Sequence, residues 1–494
     1  MKQEIYILNE KLNGITEGFS YICPELILAL SAVVIIIADL LPLNKKALPY
    51  LTIIGIFVSL YFALNQTCTS GVFVFSGFLH LTTISVFFKV LFSLSTLIFI
   101  VFSLTSSQQD AQKGEYYAIT LVLLLGLNMM SMAANFLAVY LSIETVSICS
   151  YILAGFNPSK RSAEAGMKYI LFGAFSSGIM LYGISLMYGI TQTLNFHEVY
   201  FTEKLLSASV YLSALAFVLM LAGFLFKIAV FPFHAWVPDV YEGVTTPVAA
   251  FFSIAPKAAG LALLMNFLNA IKGELIVFNE FNSSVIDVLA ILAIVTLTIG
   301  NFAALWQNNA KRLLAYSSIG HAGFILSGLL VMSDQGKASV FFYLVIYLFM
   351  NFAAFMLVNE LSEKTGSEDV RNFKGLGIKL PYLGFIFVLV MVALTGLPPT
   401  AGFYAKFLVF SAVLEAYQTT GKQILLVLFA FGLLNTVVAL YYYLKIPYLM
   451  FFRKADREVS AGGNLSLVFI SLLCLPLIVL FFKPDWLLNL LKNI

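Results

Sequence analysis

Apolar stretches of about twenty residues follow one another along almost the whole of this 494-residue chain, separated by short polar loops. A helix of that length crosses the ~30 Å hydrocarbon core of a bilayer. Hydrocarbon offers no partner to a backbone N–H or C=O, so each crossing must satisfy its own backbone, as a helix does. Composition points the same way. Hydrophobic residues make up 61% of the chain and charged residues 11%, against about 25% charged in a soluble domain. The expected fold class is all-α: a polytopic membrane protein forming a single integral membrane domain over residues 1–494. The net charge of +3 is too small to indicate a nucleic-acid partner.

Reading the apolar runs gives about fourteen spans, near 21–41, 47–64, 84–104, 115–132, 134–155, 165–190, 207–236, 245–269, 284–305, 311–332, 338–360, 380–416, 424–447 and 464–483. Odd-numbered loops carry Lys45, Lys46, Lys113, Lys160, Arg161, Lys311, Arg312, Lys374, Arg453 and Lys454 among others. Even-numbered loops carry only Lys204, Lys272, Lys337 and Lys422. By the positive-inside rule the odd loops are cytoplasmic and both termini lie outside, even with Lys2, Lys11, Lys483 and Lys492 counted there. Trp236, Trp306 and Trp486 fall at span ends, as an interfacial aromatic belt requires. The first twenty residues hold Glu4, Glu10 and Glu17 and no apolar core, so no cleavable leader is expected. Cys23, Cys68, Cys149 and Cys474 are scattered. They show no metal-ligand or C-x-x-C spacing, and neither a metal nor a redox cofactor is expected in the chain.

Two of the spans are interrupted alike. Tyr211 to Trp236 carries Lys227 inside its apolar run and breaks at Pro232. Pro381 to Ala416 breaks at Gly396, Pro398 and Pro399, with Lys406 beyond. Paired broken helices in two halves of a membrane protein mark a transport site near the bilayer midplane. A charge at that depth costs roughly 2.5–3.5 kcal/mol on insertion scales, so every mid-span charge needs a reason. Glu144 sits about ten residues from either end of its span, among Ser142, Thr145 and Ser147. It reads as a proton-pathway carboxylate, or as a structural acid paired across helices. Lys227 is its expected counter-charge, and a movable acid beside a buried lysine is a physical basis for switching that lysine between charged and neutral. Lys257 follows Pro256 at mid-span, where proline frees a carbonyl four residues earlier. His321 is either a neutral core histidine bonded to a carbonyl or a proton relay between the lysine centres. Asp39, Lys168 and Lys445 read as boundary residues, and Glu360, Glu363 and Glu415 as interfacial. Lys89, five residues into its span, reads as snorkelling to the interface.

At these same residues the sequence resembles the proton-pumping antiporter-like subunits of respiratory complex I. The likeness is carried by FPFHAWVPDVYEGVTTPVAAFFSIAPKAAG (231–260), NNAKRLLAYSSIGHAGF (308–324) and GLPPTAGFYAKF (396–407), and extends over almost the whole chain. The SIAPKAAG run in the eighth span, Lys406 in place of an acid, and an end soon after the last span all favour the N-type branch. The resemblance implies fourteen helices, spans 4–8 (115–269) and 9–13 (284–447) as inverted repeats, and broken helices seven and twelve. It also implies a hydrophilic axis through Glu144, Lys227, Lys257, His321 and Lys406. NADH, FMN, iron–sulfur clusters and quinone would then be bound by partner subunits, with other antiporter-like and small hydrophobic subunits as membrane neighbours in a bacterial inner membrane. Three rivals stay open at this point: a subunit of a sodium/proton antiporter, a membrane subunit of a hydrogenase, and a solute permease.

Overall fold

In the computed structural model, residues 16–41, 45–68, 71–106, 113–275, 279–454 and 464–491 are described. Glu4 and Glu10, on which the absence of a leader rests, lie outside them, as do Lys2, Lys11 and Lys492. The chain runs as α1 (Cys23–Leu40), α2 (Leu48–Leu64), β1 (Val72–Val74), β2 (Leu79–Leu81), α3 (Thr83–Thr105), α4 (Gly114–Met132) and α5 (Phe136–Ala154). It continues as α6 (Lys160–Thr191), α7 (Val199–Ser207), α8 (Val210–Ile228), α9 (Trp236–Gly243), α10 (Thr246–Phe252), α11 (Ala255–Leu275) and α12 (Asn279–Leu305). The last third holds α13 (Ala310–Leu329), α14 (Asp334–Thr365), α15 (Leu376–Lys379), α16 (Pro381–Thr395), α17 (Ala401–Thr420), α18 (Gln423–Phe452), α19 (Asn464–Phe482) and α20 (Asp485–Leu491). Among the described residues eleven helices are long and apolar enough to cross a membrane. They become twelve if α19 and α20, bent by 88° between them, make one crossing.

Helix starts follow the polar residues that precede each apolar run. Thr82 and Ser85 form a reciprocal capping box at α3, Asn135 accepts from the Leu137 N–H at α5, and Asn309 accepts from the Arg312 N–H at α13. Each side chain satisfies an orphan backbone donor of the first turn.

The span Thr246–Ile271 is buried on every side, and α14 nearly so. Helices α1, α2, α6 and α18 present apolar side chains outward, as a lipid- or protein-facing surface demands. The antiparallel hairpin of β1 and β2 pairs Phe73 with His80 and docks through the Ala134 N–H on the Phe78 carbonyl at 3.2 Å. Short apolar alternation on either side of Phe75, Ser76 and Gly77, all at positive φ, is its only trace in the sequence, and the expected loop there is a hairpin instead.

Two expectations change. Lys89 does not snorkel: it is fully buried, 3.0 Å from Glu25 Oε1 and donating to Gln66 Oε1 at 3.0 Å. The carboxylate brought in by α1 makes burial affordable where escape to the interface is not needed. Trp236 is not a belt residue. It is 1% exposed, stacks on Tyr169 at 4.3 Å between ring centroids and donates from Nε1 to the Phe226 carbonyl. It therefore plugs the first helix break, while Trp306 and Trp486 are exposed. The eighth span is interrupted at Ser253 and Ile254, in the turn before Pro256, where a proline leaves the carbonyl four residues earlier without its helical donor.

Candidate functional site

Three mid-span lysines and one histidine lie along one buried row. Lys227, Lys257, His321 and Lys406 are each 4% exposed or less; each lysine is placed by a local break, and His321 by the unbroken α13. Helix α8 stops just after Lys227: Ala229 turns left-handed at φ 65° and Val230 N–H returns to the Leu225 carbonyl at 2.9 Å. The chain is then caught by Thr296 of α12, whose Oγ1 accepts from the Phe231 N–H at 3.1 Å. Lys227 thus lies in the last turn of a half-helix, the end that attracts positive charge. Its Nζ is buried and has no hydrogen-bonding partner. Glu144 comes from α5, half-buried, with Oε1 buried and likewise unpartnered. The expected direct ion pair between the two is not made in this conformation. Both charges are held without the bond that would fix them.

Lys257 occupies the first turn of α11 and donates to Ser318 Oγ of α13 at 2.8 Å, with the Tyr241 ring 5.8 Å away. Three residues on, His321 makes no carbonyl bond. Its Nδ1 lies 2.7 Å from Tyr343 Oη and its Nε2 2.9 Å from Tyr443 Oη. Neutral imidazole has one donor and one acceptor nitrogen, so one tyrosine donates and the other accepts. Lys406 follows its break. From α17 it reaches back to donate to the Thr395 carbonyl at 2.7 Å, at the end of α16, and it sits over the Phe324 ring at 4.6 Å. Gly396, at φ 82°, makes room: a Cβ there would lie 2.7 Å from Lys406 Cδ.

Ser317 and Ser318 are expected from the sequence to hold bridging water between the stations; the tyrosines that surround the row were missed. Tyr343, Tyr443 and Ser317 bracket His321, with Ser317 Oγ bonded to Tyr443 Oη. The hydroxyls of Tyr241 and Tyr347 are buried without a partner. At the Lys/Arg-rich ends of the helices, hereafter the basic face, Arg312 binds Asp239 at 2.7 Å and Glu242 at 2.9 Å. Lys168 binds Asp239 at 2.9 Å and Glu164 at 2.8 Å. These groups line a cavity of about 260 Å³ with Arg161. Lys168 is thus more than a boundary residue: it ties α6 to α9. Lys445 stays near its helix end, donating to the Gln307 carbonyl at 2.9 Å. Among the described residues no three His, Cys, Asp or Glu side chains converge as metal ligands.

A row of single titratable groups, bridged by hydroxyls and interrupted at two helix breaks, can pass protons. It offers no nucleophile–base pair and no cradle for a phosphate. Residues 133–433 match the family described as NADH:quinone oxidoreductase/Mrp antiporter, transmembrane. The chain is 38% identical over 455 residues to NADH-quinone oxidoreductase subunit N of Chlorobium chlorochromatii, covering 90% of this chain and 87% of that one. It is also 38% identical over 454 residues to chloroplastic NAD(P)H-quinone oxidoreductase subunit 2 of Mesostigma viride, covering 90% of this chain and 87% of the relative. Among solved structures, a chain of respiratory complex I from Thermus thermophilus superposes with TM-score 0.77 at 29% identity, over 95% of this chain and 99% of that chain. A chain of the Mrp complex from Dietzia shares the fold, with TM-score 0.81 at 19% identity, over 95% of this chain and 96% of that one.

Proposed function

The chain belongs to the NADH:quinone oxidoreductase/Mrp antiporter family, and from that premise we infer that it is the N-type membrane subunit of a proton-translocating NADH:quinone oxidoreductase. Electron transfer from NADH to quinone takes place in partner subunits, which hold the FMN, iron–sulfur clusters and quinone. This chain moves protons in response. The observation that carries the reading is the buried row itself: three lysines and one histidine, each nearly inaccessible, strung from one helix break to the other. Three lysines held charged at depth would cost on the order of 10 kcal/mol on insertion scales, so they persist because their charge is transient.

Residues 115–269 and 284–447 act as two inverted repeats, each with one broken helix, a left-handed residue directly after the first piece and one lysine at the break. The apolar runs of the sequence give about fourteen crossings of a bacterial inner membrane, and the loop charges put both termini outside. Glu144 lies on an outward stripe with Leu137, Leu141, Ile148 and Ile152, each about half exposed. A carboxylate does not face lipid, so a neighbouring subunit covers that stripe. When Glu144 swings to Lys227 the lysine holds its proton. When it swings away the proton passes to Lys257, whose Ser318 contact hands it toward His321, and Lys406 releases it.

The test is native purification followed by reconstitution. NADH:quinone activity is expected to travel with this chain, and the assembled Lys227→Ala complex is expected to lose most of its pumping. Purification with no redox partner, together with autonomous cation/proton exchange, would return the antiporter reading.

A further inference from the structure

Beside His321, a second set of buried polar groups runs toward the basic face along the seam of α12, α13 and α18. Ser317 of α13 bonds Tyr443 of α18, and Tyr443 Oη meets His321 Nε2 at 2.9 Å. The next residue, Tyr442, packs its ring 4.4 Å from that of Tyr443 and donates to Asn301 Oδ1 of α12 at 2.9 Å. Three residues further along α18, about 4.5 Å of helical rise, Lys445 donates to Asn308 Oδ1 at 3.3 Å and to the Gln307 carbonyl at 2.9 Å. Ser317, Asn301, Tyr442 and Tyr443 are each 2% exposed or less, and Lys445 is half-buried. Buried polar side chains between membrane helices serve either as glue or as a path. Glue needs only pairs. Here the pairs follow one another in depth from a lysine at the membrane edge to the imidazole at the centre.

We propose that Lys445, Asn301, Tyr442, Tyr443 and Ser317 form a second proton conduit, which feeds His321 from the basic face in the same cycle as the Lys227 route, so that turnover needs both. This rests on the proton-translocating reading above. In each passage Tyr443 gives its hydroxyl proton to His321 Nε2 and takes one from Ser317 or Tyr442. His321 gives the proton on Nδ1 to Tyr343 Oη, which passes its own hydroxyl proton to water beyond it. The hydroxyl that supplied Tyr443 regains a proton from water charged by Lys445, and Lys445 regains one from solvent at the basic face. The imidazole ends as its other tautomer and resets by turning over its ring before the next passage; one proton has entered, one has left, and no net charge stays behind. Asn301 carries nothing. It positions Tyr442 and holds the entry open.

The assembled complex in proteoliposomes, followed by a pH-sensitive dye and by NADH oxidation, tests this with four variants. Tyr443→Phe keeps the ring and removes the hydroxyl, and Asn301→Leu closes the entry. Each is expected to lower pumping per assembled complex at least fivefold. Asn301→Asp can still accept from Tyr442 and is expected to retain more than half of the pumping, with its pH dependence on the basic face displaced. Glue predicts the opposite order, with Asp at least as harmful as Leu and the loss appearing in assembled yield rather than in turnover. That order overturns the conduit, as does normal pumping by Tyr443→Phe and Asn301→Leu. Lys227→Ala separates the two claims. If it fails while Tyr443→Phe pumps normally, only the conduit falls; if Lys227→Ala itself pumps normally, the underlying reading falls.

Discussion

At the first break α8 ends at Ile228 and Ala229 takes the left-handed turn at φ 65°; at the second α16 ends at Thr395 and Gly396 takes it at φ 82°. In both, a lysine ammonium belongs to the negative end of the first half-helix, where orphan carbonyls favour it. The wiring differs. Lys227 precedes its break, has no hydrogen-bond partner, and answers to an acid on another helix. Lys406 follows its break and is tied to the Thr395 carbonyl at 2.7 Å, with an aromatic ring rather than an acid beside it. One lysine is free to respond to Glu144; the other must give up a bond to release its proton. The first break is built to be switched and the second to hold until pushed.

The largest expected effect separates those roles at Lys406. Lys406→Ala removes both the proton and the bond, so pumping is expected to fall to background. The complex should also lose about 1.5–3 kcal/mol, the usual worth of a hydrogen bond to a charged group. Lys406→Arg can keep the bond but does not deprotonate, so it is expected to assemble well and still not pump. Lys227→Ala should stop pumping with little loss of stability, since it breaks no bond. Pumping and thermal denaturation measured on the same preparations decide the matter: equal destabilisation at the two positions would erase the contrast. An assembled Lys406→Arg complex with the normal proton-to-electron ratio would show that Lys406 need not deprotonate.

Glu144 comes next. Glu144→Ala is expected to cut pumping and coupled oxidoreductase activity about tenfold or more, because Lys227 then has no acid to move against. Glu144→Gln keeps the shape and is expected to fail equally, whereas Glu144→Asp keeps the charge on a shorter stem and should be milder. Equal pumping by Gln and wild type would mean that the acid is structural, and the first break would then work like the second.

How much of this was legible can be argued residue by residue. Glu144, Lys227, Lys257 and Lys406 stood out from desolvation cost alone, and the breaks from Pro232, Gly396 and Pro398, because those are properties of a residue and its neighbours in the chain. The wiring was not legible. Lys89 and Glu25, or Arg312 and Asp239, are more than sixty residues apart, and no pattern along one chain says which helices will be adjacent. Trp236 was misread for a related reason. Near a span end the sequence suggests an interface, but the break turns that end inward. Tyr343 and Tyr443 were hidden by composition: in a chain with 24 tyrosines, two more in apolar runs carry no signal until His321 is seen between them.

The smallest effect tests the two left-handed turns directly. Gly396 uses a conformation that an L side chain adopts at a cost of roughly 1–2 kcal/mol, and its missing Cβ clears the path of Lys406. Gly396→Ala is therefore expected to destabilise by more than that strain alone and to disturb the Thr395 contact, lowering pumping partially. Ala229 already bears the strain at φ 65°. Ala229→Gly relieves it, offset by the greater freedom glycine has in the unfolded chain, so a net gain of about 0.5–1 kcal/mol is expected. Ala229 is fully buried, and removing its methyl opens a gap worth roughly 0.8 kcal/mol per carbon, which brings the sum close to zero. The informative quantity is thus the difference between the two substitutions, measured as a shift in denaturation midpoint of the purified complex. Gly396→Ala should lie clearly below wild type and Ala229→Gly within error of it or above. If both fall equally, the left-handed turns are not what sets the two breaks, and the strain belongs to the proline-containing segments after them.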